Sequence, residues 1–249
     1  MTTTAILSAL AAEQHGLIEQ LDNARRVHRA GRDYWLGTLQ GQDVVLALSR
    51  IGKVAAASTA TTLIEAFEAR RIVFTGVAGG LGTDVHIGDL VVASGFVQHD
   101  MDASPLFPRF EVPLYGQSTF LCDAHLSGLL AQACRQSLDR PGRDMARSRP
   151  GLHLGLIVSG DQFVATARSA AALQTALRGA DMEPLAVEME GAAVAQVCHD
   201  YGVAFAAVRT ISDRSDEDSA TDFQHFVTHV ASHYARAIIE ELMPLLVRP

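Results

Sequence analysis

The chain of 249 residues carries 28 acidic and 20 basic side chains, a formal charge of −8. That length suits one large α/β domain, and 48% hydrophobic residues supply its core. An acidic surplus excludes a broad, sequence-blind grip on nucleic acid, which needs a basic face, but it leaves a local anion site open. Lys53 is the only lysine; every other basic side chain is arginine. Cys122, Cys134 and Cys198 are an odd set without C-x-x-C spacing. They predict single buried or half-buried thiols in a reducing compartment, not disulfides or a thiolate metal site. The N-terminus lacks the cationic start of a secretion signal. No apolar stretch reaches the roughly 18 to 20 residues that span a bilayer. A cytoplasmic protein without membrane contact is expected.

In chain order, residues 4–10 form a short apolar run that suits a buried strand, and a helix is predicted to start near Glu13. Residues 34–39 and 44–49 flank Gly41-Gln42-Asp43, a hairpin signal. Residues 53–69, rich in alanine and leucine, predict a helix packed closely on a sheet. Residues 71–76 (RIVFTG) and 88–97 (GDLVVASGFV) predict strands, the first running into a glycine cluster. Helices are expected over 125–138 and 168–177, and strands over 154–159 and 186–189. An alanine-rich helix over 191–201, an apolar strand over 203–212 and one long helix over 223–246 complete the chain. Segments 104–116 and 140–151 read as loosely ordered. Strands alternating with helices imply a largely parallel sheet covered on both faces, which the hairpin makes mixed. The expected fold is one α/β domain over residues 1–249.

In such sheets, ligands bind beyond the carboxyl ends of the strands. The polar residues there are Glu13, Ser49-Arg50, Thr75-Gly76, His99-Asp100, Ser159-Gly160-Asp161, Glu188, Glu190, Arg209, Ser212 and Asp213. Carboxylates gathered at one pole with one arginine suit general acid/base work on a neutral, hydroxyl-rich substrate. They suit a free phosphate poorly. Glu188 and Glu190, two apart in an apparent strand, are expected to point the same way. Residue types alone also suit Asp213 as a helix cap and Glu13 as a dipole partner. The glycines of 76–80 allow close backbone approach but form neither G-x-G-x-x-G nor a P-loop. His225, His229 and His233 would share one helical face, but no H-E-x-x-H accompanies them, so no metal is expected. Arg140, Arg143, Arg147 and Arg149 read as a solvated segment, not an anion patch.

These positions carry a resemblance. Glu13 closes a strand-to-Glu opening. Ordered blocks follow at Ile51-Gly52-Lys53-Val54-Ala55-Ala56-Ala57, Thr75-Gly76-Val77-Ala78-Gly79-Gly80, Gly88-Asp89-Leu90-Val91-Val92, Val158-Ser159-Gly160-Asp161-Gln162-Phe163, Val187-Glu188-Met189-Glu190-Gly191-Ala192-Ala193 and Val208-Arg209-Thr210-Ile211-Ser212-Asp213. Over essentially the whole chain the sequence resembles the bacterial 5′-methylthioadenosine/S-adenosylhomocysteine nucleosidases of the nucleoside phosphorylase superfamily. The resemblance implies a single α/β domain with a twisted mixed central sheet, a homodimer, a small-molecule nucleoside substrate, and no metal or organic cofactor. It implies Glu13 as the base that activates water and Asp213 as the acid that protonates the purine at N7. It implies Met189 and Glu190 at the ribose, Phe163 stacked on adenine, and Val164 and Gly79 as backbone contacts. Arg209 and Ser212 fall in the block that carries Asp213 and are expected to bind substrate. Leu10, Ile51 and Phe223 match apolar positions around the 5′-alkylthio tail, and the partner subunit's 103–107 loop is expected to complete that pocket.

The sequence departs from the family pattern at Val77, where serine is common, at Leu10, where methionine is common, and at Arg50, where glycine is common. Residues 99–108 are distinctive. These departures bear on the substrate, not on the bond cleaved. A phosphorylase using phosphate is the main alternative. The first and third strand-end loops, 8–13 and 74–77, hold no arginine for it, and only Arg50 supports it. Hydrolysis of another purine nucleoside such as futalosine, or a non-catalytic nucleoside sensor, are the others. A sensor has no use for a matched acid and base.

Overall fold

The computed structural model describes residues 3–140 and 150–247, without the side chains of residues 228 and 229. Arg143, Arg147 and Arg149 lie outside the described residues. Arg140 is bonded to Glu240 and Glu241 at 2.6 Å each, so it is a structural ion-pair partner.

The chain opens with β1 (Thr4–Ser8), buried at every position, and a four-residue helix α1 (Ala11–Gln14). A meander follows: β2 (Asp22–Arg29), β3 (Arg32–Leu39) and β4 (Gln42–Leu48). Then come α2 (Lys53–Phe67), β5 (Arg71–Gly80), β6 (Leu90–Gln98), β7 (Thr119–Leu121) and α3 (Ala124–Leu138). The second half holds β8 (Leu152–Ser159), α4 (Ala167–Arg178), β9 (Pro184–Glu188), α5 (Gly191–Tyr201) and β10 (Ala204–Asp213). It ends on α6 (Ser219–His229) and α7 (Ala231–Leu245).

The strands form one mixed sheet in the order β10-β6-β8-β9-β5-β1-β4-β3-β2, with β7 beside β6. Strand β10 also pairs in parallel with β5, so one end of the sheet closes on itself. Strand β1 lies in parallel between β4 and β5. Helices cover both faces. On one, the small residues Ala56 and Ala60 of α2 and Ala192 and Ala195 of α5 allow close approach to the strands. On the other, Ile238, Leu242 and Met243 of α7 pack with Leu126 and Leu130 of α3.

Three elements depart from expectation. Strand β2 is exposed at nearly every position, so no apolar alternation announces it; pairing with β3 makes it a strand. Strand β7 is only three residues long. The expected long C-terminal helix breaks at Val230 (φ −124°, ψ −41°) into α6 and α7. His225 and His233 therefore lie on different helices, and the three histidines do not form one helical face.

Gly191 starts α5 where a Cβ would run into the Phe96 ring of β6. Gly191→Ala should lower stability by about 1–3 kcal/mol through this overlap, read as a lower urea midpoint. An unchanged midpoint would mean that the ring has room to turn.

Candidate active site

The carboxyl ends of β1, β4, β5, β8, β9 and β10 surround one cavity of about 360 Å³, the size of a small-molecule site. Glu13 enters it from α1. Leu10 is extended (φ −118°, ψ 148°), and the chain then turns so that the Glu13 carboxylate folds back on the strand end. One oxygen accepts the N–H groups of Ala9 and Leu10, both at 2.8 Å; the other accepts the Val77 N–H of β5 at 3.2 Å. Burial raises the Glu13 pKa, while those N–H donors and the charge of Arg209 pull against the rise.

Asp213 faces the same cavity from the end of β10. The β10–β5 register slips between Ile211 and Asp213, a bulge that leaves Ser212 extra and re-aims the carboxylate. Asp213 accepts the Ser215 N–H at 2.9 Å and the Ser212 hydroxyl at 2.8 Å. Burial pushes its pKa up despite these bonds. Gly79 opposes it on β5; a Cβ there would stand 3.0 Å from the Asp213 Oδ1 and overlap the Ser215 hydroxyl. Only glycine lets the two strand ends meet at this point.

Strand β9 ends at Glu188, and Glu190 sits one step outside helix α5. The two carboxylates therefore do not share one strand as expected, although both line the cavity. Glu188 takes the Arg209 guanidinium at 2.7 Å, the Ser159 hydroxyl and the Gly191 N–H at 2.9 Å. Glu190 accepts the Gly52 N–H at 2.8 Å. Burial first, then the charge of Glu188, raises the Glu190 pKa to about 8.

Arg209 is 1% exposed and lies over the Phe74 ring at 4.1 Å. It donates to the Phe74 and Val208 carbonyls as well as to Glu188. It is not among the residues that line the cavity, and its guanidinium lies behind Glu13 and Glu188. The other residues expected at the site, Leu10, Ile51, Gly79, Phe163, Val164, Met189, Glu190, Ser212 and Phe223, all line it with Glu13 and Asp213. Phe163 and Phe223 meet edge to face, with centroids 5.6 Å apart, at the rim. Lys53 is bonded to Asp100 at 2.6 Å and Gln98 at 2.9 Å, and its N–H to Asp161, so it ties α2 to the loop before Phe163. Ser215 lines the cavity without having been expected; its hydroxyl is buried with no hydrogen-bond partner. Nothing in its local sequence marks it, because a backbone turn at φ 55° brings it in. Among the described residues no cluster of three metal-ligating side chains occurs.

A closed α/β sheet with acid groups converging at its strand ends defines a class. The family model described as Phosphorylase superfamily matches residues 3–244. A 5′-methylthioadenosine/S-adenosylhomocysteine nucleosidase of Hydrogenovibrio crunogenus is 34% identical over 97% of this chain and 98% of its own length. The crystal structure of such a nucleosidase from Neisseria meningitidis, in complex with methylthio-immucillin-A, matches with a TM-score of 0.86. It is 32% identical and covers 97% of this chain and 98% of that one. A futalosine hydrolase mutant of Helicobacter pylori matches with a TM-score of 0.84 at 30% identity, covering 97% and 98%. Within the phosphorylase superfamily, the chain belongs to the 5′-methylthioadenosine/S-adenosylhomocysteine nucleosidase family.

The raised Glu190 pKa has a consequence for stability. Between the ordinary glutamate value of 4.5 and about 8, the folded chain binds more protons at this carboxyl than the unfolded chain does. Its contribution to stability therefore falls as pH rises through that window. Glu190→Gln should melt above the parent at the alkaline end, with the gap closing toward the acidic end. A constant gap would detach Glu190 from this behaviour.

Proposed function

We propose that the protein hydrolyses the N-glycosidic bond of 5′-methylthioadenosine and S-adenosylhomocysteine, releasing adenine and the thioribose. The observation that carries this reading is the charge of the cavity wall. Glu13, Glu188, Glu190 and Asp213 line it, and among the described residues no lysine or arginine does. Phosphate among carboxylates would need cationic partners. Arg50, which supported the phosphorylase alternative, lies outside this wall, and Arg209 is committed to Glu188.

Cleavage makes the ribose cationic and leaves electrons on the purine. Asp213 gives its proton to N7, so that neutral adenine departs. The C1′–N9 bond electrons go to the base. Water attacks C1′, and Glu13 takes its proton. Two carboxyl groups serving opposite faces of one glycosidic carbon follow the logic of an inverting glycosidase. Glu190 accepts from the ribose hydroxyls beside Met189. Glu188 and Arg209 act indirectly, by neutralising each other and fixing the start of α5. Ser212 holds the Asp213 carboxyl. Phe163 stacks on the base, Val164 and Gly79 offer it backbone, and Leu10, Ile51 and Phe223 form the apolar seat of the alkylthio group.

The protein acts as a cytoplasmic homodimer in this reading, the partner's loop closing the tail seat. Leu106 is 84% exposed and Ile51 54%, apolar surface that a second copy would cover. The three unpaired thiols suit a reducing compartment.

In phosphate-free buffer, 5′-methylthioadenosine should yield adenine and free methylthioribose. Turnover only with phosphate would overturn the hydrolytic reading, and turnover only with futalosine would shift the substrate. Asp213→Asn should bind substrate within about tenfold of the parent and lose most turnover. Full turnover would remove Asp213 from the reaction. Glu13 must be ionised and Asp213 protonated. The rate should therefore fall as pH drops through the Glu13 pKa and as it rises through that of Asp213. Since burial raises both, the optimum lies above the ordinary carboxylate range. A flat pH–kcat/KM profile would contradict these roles.

A further inference from the structure

A second cavity, of about 620 Å³, adjoins the first. Ala9, Leu10 and Ile51 line both. Beyond them the second cavity runs between α1 and the β2–β3 hairpin, past Arg32, Asp33, Trp35 and Arg50. Its charge is opposite to that of the first. Arg32 donates to the carbonyls of Ser49, Ala30 and Ala55, and Arg50 to the carbonyl of Gly31 at 2.6 Å. Among the described residues, neither guanidinium has a carboxylate within ion-pair distance. Asp33 is already held by His28 at 2.8 Å and Arg26 at 3.7 Å.

Arg50 also occupies an unfavourable backbone position. Its φ is +67°, in the left-handed region where a Cβ is crowded and glycine is at ease. It is exposed, immediately before Ile51, at the end of β4. The strained turn places a cation in the wall of the second cavity, next to Ile51, which lines both cavities. A strained non-glycine residue beside a binding cavity points to a use for its side chain.

Resting on the nucleosidase reading, the geometry points to Arg50 as a specificity-determining residue. It takes the carboxylate at the far end of a long 5′ substituent that passes over Ile51 into the second cavity. Arg32 adds a second positive charge, and Trp35 an apolar wall for the methylenes. The favoured substrates are thus 5′-thioadenosines whose tail ends in a carboxylate, S-adenosylhomocysteine among them. The short methylthio group does not reach the second cavity.

The test compares four substrates. 5′-Methylthioadenosine and 5′-butylthioadenosine have neutral tails; S-adenosylhomocysteine and 5′-(3-carboxypropylthio)adenosine carry the carboxylate, the last without an ammonium. In Arg50→Gln, the kcat/KM ratio of carboxypropylthio to butylthio substrate should fall about tenfold, and that of S-adenosylhomocysteine to methylthioadenosine similarly, as loss of one charged hydrogen bond implies. Arg50→Lys should retain most of the preference. Added salt should erode the preference in the parent more than the residual preference of Arg50→Gln, where only Arg32 remains. Equal losses on all four substrates, or unchanged ratios, would overturn the assignment. A loss confined to S-adenosylhomocysteine would also overturn it, because the carboxylate that the carboxypropylthio substrate shares would then not be the group recognised. Absence of parent turnover on all four would instead overturn the nucleosidase reading itself.

Discussion

Buried acid without matching base governs this molecule. Glu13, Glu188, Glu190 and Asp213 all stand at the carboxyl ends of strands, each at most 6% exposed. Among the described residues, Arg209 is the one guanidinium buried with these carboxylates, and it is bonded to Glu188. A buried carboxylate left in its charged form costs several kcal/mol unless donors or a proton compensate it. The fold resolves this differently at each position. Glu188 receives the arginine and the start of α5. Glu13 receives three backbone N–H groups. Asp213 receives the Ser215 N–H and the Ser212 hydroxyl, and Glu190 the Gly52 N–H; burial still shifts Glu13, Glu190 and Asp213 toward the protonated form. One cavity thus holds carboxyl groups with unlike sets of partners, and the proposed acid–base cleavage assigns them unlike roles.

The topology creates that condition. Parallel pairing of β10 with β5 and of β5 with β1 puts the ends of three strands side by side. Residues more than a hundred positions apart then meet across a few ångströms. The β10 bulge turns Asp213 inward, and the absence of a side chain at Gly79 leaves room for it. Closure of the sheet by β10 also removes one sheet edge. Outside this ring, the meander β2–β3–β4 builds the wall of the cationic cavity. In the proposed reading, acid meets the sugar and base and a cation meets the tail, so that the two cavities divide the recognition of one elongated ligand.

Much of this was legible in the chain. Buried strands such as residues 4–8 and 204–213 are continuous apolar runs, and tertiary pairing only extended or trimmed them. Glu13, Glu190 and Asp213 follow such runs directly, so the rule that ligands sit beyond strand ends selects them. Arg209 obeys the same rule and still misses the cavity. Its guanidinium reaches Glu188 across the sheet, and no spacing along the chain reveals a partner 21 residues away. Strand β2 escaped because an exposed edge carries no hydrophobic period. The break at Val230 escaped because apolar spacing continues through it, although the backbone does not.

The sequence by itself determined the α/β class, the strand and helix order, the acidic site chemistry and the family resemblance. Each of these rests on local composition, periodicity or short motifs, which the linear chain contains. Only the tertiary structure decided which carboxylates share a cavity, which is neutralised by Arg209, and that Arg50 faces a separate cationic recess. Those are matters of distance and burial, set by strand register and by one bulge. Free energy at such a site depends on what surrounds a charge, and a sequence does not state its own surroundings.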